Sequence, residues 1–323
     1  MSEQSDLPLV GGIEAGGTKF VCAVGRDPTD VAQPVNRIEF SSQTGSPDQV
    51  LAQVIGWFRQ QEKRLGQPLA AIGIGCFGPI DRHPDSPTYG HITTTPKLGW
   101  GNFDMVGAIR QGWPHIPIEF DTDVNAAAFG EYRWGTGQGC EDFVYITIGT
   151  GIGGGAVVGG RLLHGLVHPE MGHMLLRRIP DDPFPGLCSR HGACWEGLCS
   201  GPAIHARAGR SAIELDPADP AWIYTTRYTA YALANLTCIL SPQRIILGGS
   251  VRKGGQLGET RFMQRVREEV QTALAGYIVS PLLQAGIQDY IVVPQLGDDA
   301  GVCGALALAL ERLQNAEVAE CDL

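Results

Sequence analysis

The middle of the chain carries four side chains whose types suit a metal ion. These are His173, Cys188, His191 and Cys194. Three of them recur at three-residue intervals in a glycine-containing loop, a spacing typical of tetrahedral zinc, and His173 can complete a His2Cys2 set. Four protein ligands leave no open position, so the pattern predicts a structural Zn²⁺. Two alternatives stay open, namely Cys199 as a substitute ligand and a polar loop with incidental cysteines.

Two glutamates are interleaved with these residues. Glu170 lies three residues before His173, and Glu196 lies two residues after Cys194. Carboxylates are strong acceptors for hydroxyl groups, so a metal that fixes this loop would also fix two acceptors for a sugar. We therefore expect the metal to shape a sugar site without taking part in the reaction. Each glutamate taken singly is also consistent with a surface position that has no role.

Two glycine-rich loops, at residues 12–19 and 149–155, could bind phosphate through their backbone N–H groups. The residues expected to contact phosphate are Gly16, Gly17, Thr18 and Lys19 in the first loop and Gly149, Thr150, Gly151 and Gly153 in the second. Neither loop has the P-loop or the dinucleotide-binding pattern. The first loop alone is equally consistent with a tight turn that needs positive φ. Together the loops predict a clamp that holds a polyphosphate from both sides.

A polar cluster, Asp121-Thr122-Asp123-Val124-Asn125, follows a predicted strand and opens a predicted helix. At least one of Asp121, Asp123 and Asn125 is expected to cap that helix. Capping needs only one of them, whereas phosphoryl transfer needs a carboxylate to orient the attacking hydroxyl and accept its proton. The N-terminus of a helix also favours the ionised form. We predict that Asp123 is this base.

The elements that must position these residues alternate between strands and helices. Strands are predicted at 9–24 (two strands around the first glycine loop), 70–76, 116–120, 144–158, 244–247 and 291–293, and helices at 48–65, 126–134, 222–240, 259–276 and 301–313. Residues 83–101 and 161–201 show no periodicity. The strand–glycine–strand pattern of 9–24 recurs at 144–158, near the midpoint, which suggests two related halves. The alternation predicts an α/β fold.

Composition narrows the class of protein. The chain has 323 residues, which suits two domains of ordinary size, and it is 43% hydrophobic and 18% charged, as a globular protein is. The net charge of −10 argues against a nucleic-acid surface. The first residues lack the pattern of a signal peptide and no stretch is long enough to cross a bilayer, so we expect a cytoplasmic protein. The nine cysteines are then expected to be reduced or metal-bound.

These motifs together resemble the ROK family of sugar kinases and repressors, and the resemblance runs from about residue 10 to about residue 310. The matching stretches are Gly16–Lys19, Gly149–Gly154, Asp123–Asn125, Glu170–His173 and Cys188–Glu196. The resemblance implies an actin-like, ribonuclease-H-like sugar kinase fold with ATP between two lobes. The small lobe is predicted at 1–120 plus a C-terminal helix at 298–315, and the large lobe at 121–297.

The resemblance also implies roles for single residues. Asp123 would be the catalytic base, and Mg²⁺ would accompany ATP. The predicted sugar contacts are Gly78, Pro79, Thr122, Glu170, His173 and Glu196, with His173 also bound to zinc. Gly248 and Gly249 would lie on the adenosine side. Family members are commonly homodimers, so a homodimer is expected here.

Several departures from the general family pattern indicate its fructokinase branch. Glu14 stands where many members have an Asp that bears on magnesium, so direct coordination by Glu14 is an open question. His191 replaces one cysteine of a common Cys-x-Cys pair, and Lys97 stands where many glucose-type members carry Asn. Residues 13–20 and 168–173 also resemble that branch.

The prediction is transfer of the γ-phosphoryl group of ATP to the C6 hydroxyl of D-fructose. Glucokinase and N-acetylhexosamine kinase activity are the alternatives within the family. A sugar-responsive repressor would carry a helix-turn-helix domain before the first glycine loop, where about ten residues stand. A sugar-binding protein without catalysis would not need two phosphate loops and Asp123.

Overall fold

The computed structural model describes residues 8–43, 45–95 and 97–321, with side chains described as far as residue 315. The described chain forms two compact units. Unit 1 comprises the described residues up to Gln138, His164–His168 and those from Gln295 onward, and unit 2 comprises Gly139–Leu163 and Pro169–Pro294. The two lobes inferred from the sequence stay a prediction; by its contacts, the helix that begins at Asp123 belongs to unit 1.

The elements alternate as expected. The strands are β1 (Val10–Ala15), β2 (Lys19–Gly25), β3 (Arg37–Ser41), β4 (Ala71–Cys76), β5 (His91–Ile92), β6 (Phe103–Asp104), β7 (Ile118–Thr122), β8 (Phe143–Ile148), β9 (Ile152–Val158), β10 (Arg161–Leu162), β11 (Arg244–Gly248) and β12 (Ile291–Val292). The α-helices are α1 (Pro28–Val31), α2 (Pro47–Leu65), α3 (Met105–Arg110), α4 (Asp123–Trp134), α5 (Trp195–Cys199), α6 (Gly201–Ala208), α7 (Pro220–Leu240), α8 (Glu259–Leu274), α9 (Ile287–Tyr290) and α10 (Ala300–Cys321).

The main sheet of unit 1 has the strand order β3-β2-β1-β4-β7. The β1–β2 and β2–β3 pairs are antiparallel, whereas β1–β4 and β4–β7 are parallel. Strand β4 is buried along its whole length, as expected for a central parallel strand with both faces covered. Helix α10 packs directly on this sheet, and a Cβ at Gly73 would lie 1.9 Å from the carbonyl oxygen of Ala305. The backbone of β4 therefore meets the backbone of α10 without a side chain between them.

Helices α4 and α10 cross just as closely. A Cβ at Gly304 would lie 1.7 Å from the carbonyl oxygen of Ala126, and one at Gly130 would lie 2.8 Å from that of Ala300. The buried carboxylate of Glu131 adds a second attachment, because it accepts hydrogen bonds from the N–H groups of Thr136 and of residues 295 and 296. Helix α4, and hence Asp123 at its first residue, is held rigidly within unit 1.

Unit 2 repeats the sheet of unit 1. Its strand order is β10-β9-β8-β11-β12, with an antiparallel β8–β9 hairpin followed by the parallel pairs β8–β11 and β11–β12. Helices α7 and α8 pack against each other, and Trp195, Trp222 and Phe262 are fully buried in the core. The two glycine loops occupy the same place in the two hairpins, β1–β2 and β8–β9. The recurrence predicted from the sequence is confirmed as a repeated sheet topology.

The structure corrects several sequence-based details. Helix α4 begins at Asp123 rather than at residue 126, and its N-cap is Thr122, whose Oγ1 accepts a hydrogen bond from Asn125 N at 3.1 Å. The prediction that Asp121, Asp123 or Asn125 caps this helix is therefore wrong. The stretch 83–101 contains β5, which pairs with β6, and the stretch 161–201 contains α5. These short elements depend on partners distant in sequence, so local periodicity cannot show them.

The eight cysteines whose side chains are described are all free thiols. Among the described residues, no helix combines the length and apolar character that crossing a bilayer requires.

Candidate active-site residues and metal centre

Asp123 is the first residue of α4 and directly follows the carboxyl end of β7. Its side chain is partly buried, and Oδ1 accepts a hydrogen bond from Val124 N at 2.9 Å. Burial raises the pKa of the Asp123 carboxyl to about 6, although the Val124 N–H opposes this by stabilising the charged form. The side chain is therefore mostly ionised at neutral pH and still basic enough to accept a proton, as a general base should be.

Asp121, two residues earlier, is buried beneath the start of α4. Its Oδ1 accepts hydrogen bonds from Thr122 N at 2.7 Å and from Asn125 Nδ2 at 2.8 Å. Its Oδ2 lies 2.7 Å from His164 Nε2 and 3.5 Å from the Nε of Arg82. Sequence analysis did not identify His164, because its contact with Asp121 joins residues 43 positions apart.

The first glycine loop is a tight turn between β1 and β2. Gly16 N donates to Lys19 O at 2.9 Å, and Ser42 N donates to Thr18 O at 3.1 Å. Neither Gly16 nor Gly17 has a positive φ, and a Cβ at Gly17 would meet no atom within 4 Å. Neither the backbone conformation nor a packing contact therefore requires glycine at position 17, so the alternative of a turn that needs positive φ is not supported for Gly16 and Gly17. The Lys19 ammonium is paired with Glu39 at 2.8 Å.

Two charged groups flank this loop within unit 1. Burial, and to a lesser extent the charge of Asp123, raises the pKa of Glu14 to about 7. The Nζ of Lys97 donates to the carbonyl oxygen of Gly16 at 3.3 Å. It also lies over three aromatic rings, those of Phe77 at 4.3 Å, Trp100 at 5.0 Å and Phe20 at 5.6 Å. Burial lowers the pKa of Lys97 to about 8.

The other predicted sugar contacts in unit 1 lie at the ends of β4 and β7. The Gly78–Pro79 peptide bond is cis, and Pro79 O accepts from Thr93 N at 2.8 Å. The next residue, Ile80, donates its N–H to His168 Nε2 at 3.1 Å. Thr122 caps α4, as described above. The structure thus places Gly78 and Pro79 in a braced turn at the end of β4, beside the parallel strand that leads into Asp123.

The second glycine loop joins β8 to β9 in unit 2. Gly149 O accepts from Gly201 N at 2.8 Å, and Ile152 N donates to Glu196 Oε2 at 2.9 Å. The N–H groups of Thr150 and Gly151 donate to no acceptor within the described ranges. Of the four N–H groups of residues 149–152, these two are therefore available to an anion. Gly153 already belongs to β9, opposite Thr147.

The predicted adenosine-side glycines lie at the end of β11, where Gly248 is its last residue and Gly249 follows it. Gly249 has φ +84°, and a Cβ there would lie 2.3 Å from Ile148 O. A Cβ at Gly248 would lie 2.5 Å from the hydroxyl of Tyr145. The backbone of β8 requires glycine at 249, and at 248 a side chain would displace the ring of Tyr145, so the presence of the two glycines alone does not indicate a ligand.

The four predicted metal ligands come together in unit 2. The Nδ1 of His173 lies 3.5 Å from Cys194 Sγ and 3.9 Å from Cys188 Sγ, and His191 Nδ1 lies 3.6 Å from Cys188 Sγ. The four donor atoms all lie within 4.8 Å of one another. Tetrahedral coordination with ordinary Zn–N and Zn–S bonds would separate a nitrogen from a sulfur by about 3.5 Å. The donor set and its spacing therefore fit a single metal ion.

Neighbouring residues define the limits of this centre. Cys199 is buried, with its Sγ 3.7 Å from Thr225 O, and is not a member of the cluster. The alternative in which Cys199 replaces a ligand is therefore not supported. Glu170 is exposed, and its carbonyl oxygen accepts from His173 N at 3.0 Å. Glu196 lies on α5, which begins one residue after Cys194.

The sequence is similar to those of known proteins over nearly its whole length. The ROK family matches residues 10–312. A Bacillus subtilis (strain 168) protein provisionally named a fructokinase is 47% identical over 306 residues, which are 95% of this chain and 97% of that protein. The fructokinase of Pediococcus pentosaceus is 41% identical over 308 residues, covering 95% of this chain and all of the relative.

The fold is also similar to those of solved ROK family structures. The ROK hexokinase of Thermus thermophilus is similar with a TM-score of 0.74 at 26% identity, over 95% of this chain and 99% of that one. A ROK family glucokinase from Streptomyces griseus, solved with glucose and AMPPNP, has a TM-score of 0.70 at 24% identity, over 94% and 99% of the two chains. These similarities confirm the predicted actin-like, ribonuclease-H-like fold class. Because the family match spans nearly the whole chain, this protein is a member of the ROK family.

Proposed function

We propose that this protein is a fructokinase, which transfers the γ-phosphoryl group of ATP to the C6 hydroxyl of D-fructose. One observation carries the proposal: relatives named as fructokinases share 37–47% identity with this chain over 90% or more of its length. Three glucokinases share 26–28% identity with this chain. Fructose is therefore favoured over glucose as the substrate.

The catalytic step needs a group that accepts one proton, and Asp123 suits it best. In the proposed reaction the C6 oxygen forms a bond to the γ-phosphorus, the bond from that phosphorus to the β–γ bridging oxygen breaks, and ADP leaves. The hydroxyl proton passes to the Asp123 carboxylate. Its raised pKa brings the carboxylate close to the basicity that this transfer requires at neutral pH. Its position at the end of β7 and the start of α4 fixes its direction.

We assign phosphate binding to the two glycine loops, one in each unit. In unit 1 the exposed residues Gly17 and Thr18 present a turn without steric obstruction. In unit 2 the N–H groups of Thr150 and Gly151 are available. The carboxylate oxygens of Glu14 and Asp123 suit Mg²⁺, which prefers such donors. Mg²⁺ bound with ATP supplies positive charge that offsets charge on the phosphoryl oxygens as the bond breaks.

We assign the four-residue metal cluster to a structural Zn²⁺. His173, Cys188, His191 and Cys194 would fill all four positions, so the ion supplies no open site for chemistry. It would instead hold the loop that carries Glu170, His173 and Glu196, which are the proposed sugar contacts of unit 2. Lys97, held over three rings, is the residue of unit 1 that we expect to bear on sugar preference. We further propose that the protein is cytoplasmic and forms a homodimer. Light scattering coupled to size-exclusion chromatography would test the homodimer.

The activity is tested by ADP release with fructose, glucose, mannose and N-acetylmannosamine as separate acceptors. Fructose should give the highest kcat/KM, and ³¹P and ¹³C NMR of the product should show the phosphoryl group on C6. A higher kcat/KM for glucose, or a product phosphorylated at C1, would overturn the assignment. ADP release without any acceptor serves as the control for hydrolysis.

A further inference from the structure

The side chain of Glu196 reaches the second glycine loop within unit 2. Its Oε2 accepts a hydrogen bond from Ile152 N at 2.9 Å, and a Cβ at Gly151 would lie 2.8 Å from the same oxygen. Gly151 does not have a positive φ, so the backbone conformation does not require glycine there. The absence of a side chain at 151 instead leaves room for the Glu196 carboxylate.

A second hydrogen bond attaches the same part of the chain to the other side of the loop. Gly201 N donates to Gly149 O at 2.8 Å. Glu196 lies on α5 and Gly201 begins α6, and Ser200 joins the two helices as the C-cap of one and the N-cap of the other. The loop is therefore held at Gly149 and at Ile152 by one short, continuous helical segment.

That helical segment starts at the candidate metal centre. Cys194 is the N-cap of α5, and its Sγ accepts from Gly197 N at 3.4 Å. Trp195, between Cys194 and Glu196, is fully buried, and its backbone N–H donates to Met174 O at 3.0 Å. Any movement of Cys194 would be passed to Glu196 through a single turn of helix packed in the core.

We propose that Glu196 is a positioning residue for the second glycine loop, and that it transmits the occupancy of the metal centre to nucleotide affinity. The inference rests on the proposed function, in which Thr150 and Gly151 bind phosphate. The Glu196 carboxylate accepts the hydrogen bond of the Ile152 N–H. It therefore orients the loop and leaves the N–H groups of Thr150 and Gly151 available. Bound metal fixes Cys194, Cys194 fixes the start of α5, and Glu196 at its second residue fixes the loop.

The first experiment measures nucleotide affinity by calorimetry, with AMPPNP as the probe and purified full-length protein. Glu196→Ala should weaken AMPPNP binding by about tenfold, the effect of one hydrogen bond to a charged group. Glu196→Gln keeps an acceptor oxygen and should lose much less. Gly151→Ala, which places a methyl group against the carboxylate, should weaken binding as well. Glu268→Ala, an exposed acid on α8, is the matched control and should bind as the wild type does.

The second experiment tests the link to the metal with hydrogen exchange, a readout that does not depend on activity. Removal of the metal by a chelator should speed amide exchange in residues 149–152 of the wild type and weaken AMPPNP binding. In Glu196→Ala the chelator should add little to either effect, because the connection is already broken. Restoring Zn²⁺ should reverse both changes in the wild type.

The outcomes separate this inference from the proposed function. If Glu196→Ala binds AMPPNP within about twofold of the wild type, or if the effects of chelation and mutation simply add, the inference is wrong. Fructose phosphorylation by the wild type would then still support the proposed activity. Thermal unfolding of each variant shows whether a loss of affinity reflects a loss of folding, and Glu196→Gln supplies a conservative comparison.

Discussion

The Nε2 atom of His164 lies 2.7 Å from Oδ2 of the buried Asp121 carboxylate, within hydrogen-bonding distance. The other carboxylate oxygen accepts from Asn125, one turn into α4. Strand β7, helix α4 and the segment His164–His168 are thereby joined at Asp121, two residues before the proposed base Asp123.

The first prediction concerns His164. His164→Ala leaves Oδ2 of Asp121 without its shortest hydrogen bond, so unfolding should become easier by about 1–3 kcal/mol. The turnover number should fall because Asp123 is less firmly placed, whereas His164→Gln, which retains an N–H donor, should recover most of both. Thermal unfolding and steady-state kinetics measure these effects. His115→Ala, at an exposed position, is the control; equal kcat in His164→Ala and the wild type would contradict the positioning role.

The second prediction concerns the base itself. Asp123→Asn keeps the size of the side chain but cannot take a proton, so kcat should fall by about 10²–10⁴-fold. The Kd values for AMPPNP and fructose should change little, because the mutation removes a group needed mainly in the transition state. Stopped-time assays and calorimetry measure the two quantities. Asp85→Asn, at an exposed loop position, should behave as the wild type. Near-normal turnover in Asp123→Asn would refute the assignment.

The third prediction concerns the pH dependence of turnover. Burial raises the pKa of Asp123 to about 6, and only the ionised form accepts a proton. The rate should therefore fall below about pH 6, by close to tenfold for each further pH unit, and level off above it. Initial rates with saturating ATP and limiting fructose measure this limb. A rate independent of pH from about 5 to 7 would show that another group is the base.

The fourth prediction concerns stability and Glu14. Its pKa is raised from 4.5 to about 7 in the folded protein, so the folded state holds more protons than the unfolded state between these values. Ionisation of Glu14 therefore reduces stability as pH rises through this window. Glu14→Gln should raise the melting temperature at about pH 8 and leave it nearly unchanged at about pH 4.5.

Glu39 provides a comparison of opposite sign. Its hydrogen bond with Lys19 lowers its pKa, so Glu39→Gln should reduce stability slightly at high pH and the difference should vanish as the carboxyl becomes protonated. Thermal scans of both variants across the pH range test the pair. A Glu14→Gln variant that melts below the wild type at about pH 8 would contradict the argument.

The fifth prediction concerns the metal. Purified protein should contain about one zinc ion per chain by elemental analysis. Cys188→Ala should lose the ion, melt at a lower temperature and bind fructose more weakly, since the loop that carries the proposed sugar contacts is then released. Cys238→Ala, an exposed thiol outside the cluster, is the matched control and should retain the metal. Metal-free protein with full activity and unchanged melting would exclude a structural zinc.

Local patterns predicted the elements that bury an apolar face. Helix α2 was recognisable from its apolar spacing and from Gly66, which adopts the left-handed conformation at its end. The residues of the metal cluster were recognisable because three of them recur at three-residue intervals, a spacing typical of zinc ligands. The resemblance to a known family then supplied the fold class, which the structural comparisons confirm.

The remaining details depend on proximity between distant parts of the chain. The three rings around Lys97 come from β2, the end of β4 and the loop before β6, and spacing along the chain does not place them together. The bond between Glu196 and Ile152 spans 44 residues. The error at the start of α4 had a local cause, since Thr122 and its acidic neighbours are all good N-cap residues and only the backbone geometry selects among them.

The crossing of α4 and α10 through Gly130 and Gly304 has a consequence for protein engineering. Since even a methyl group at 304 would overlap the backbone of the other helix, α4 cannot be shifted to suit a different acceptor. The position of Asp123 is therefore fixed within unit 1, and a library aimed at new sugars should leave these two helices untouched. Pairs of substitutions at 130 and 304 should be absent from any functional pool recovered after selection.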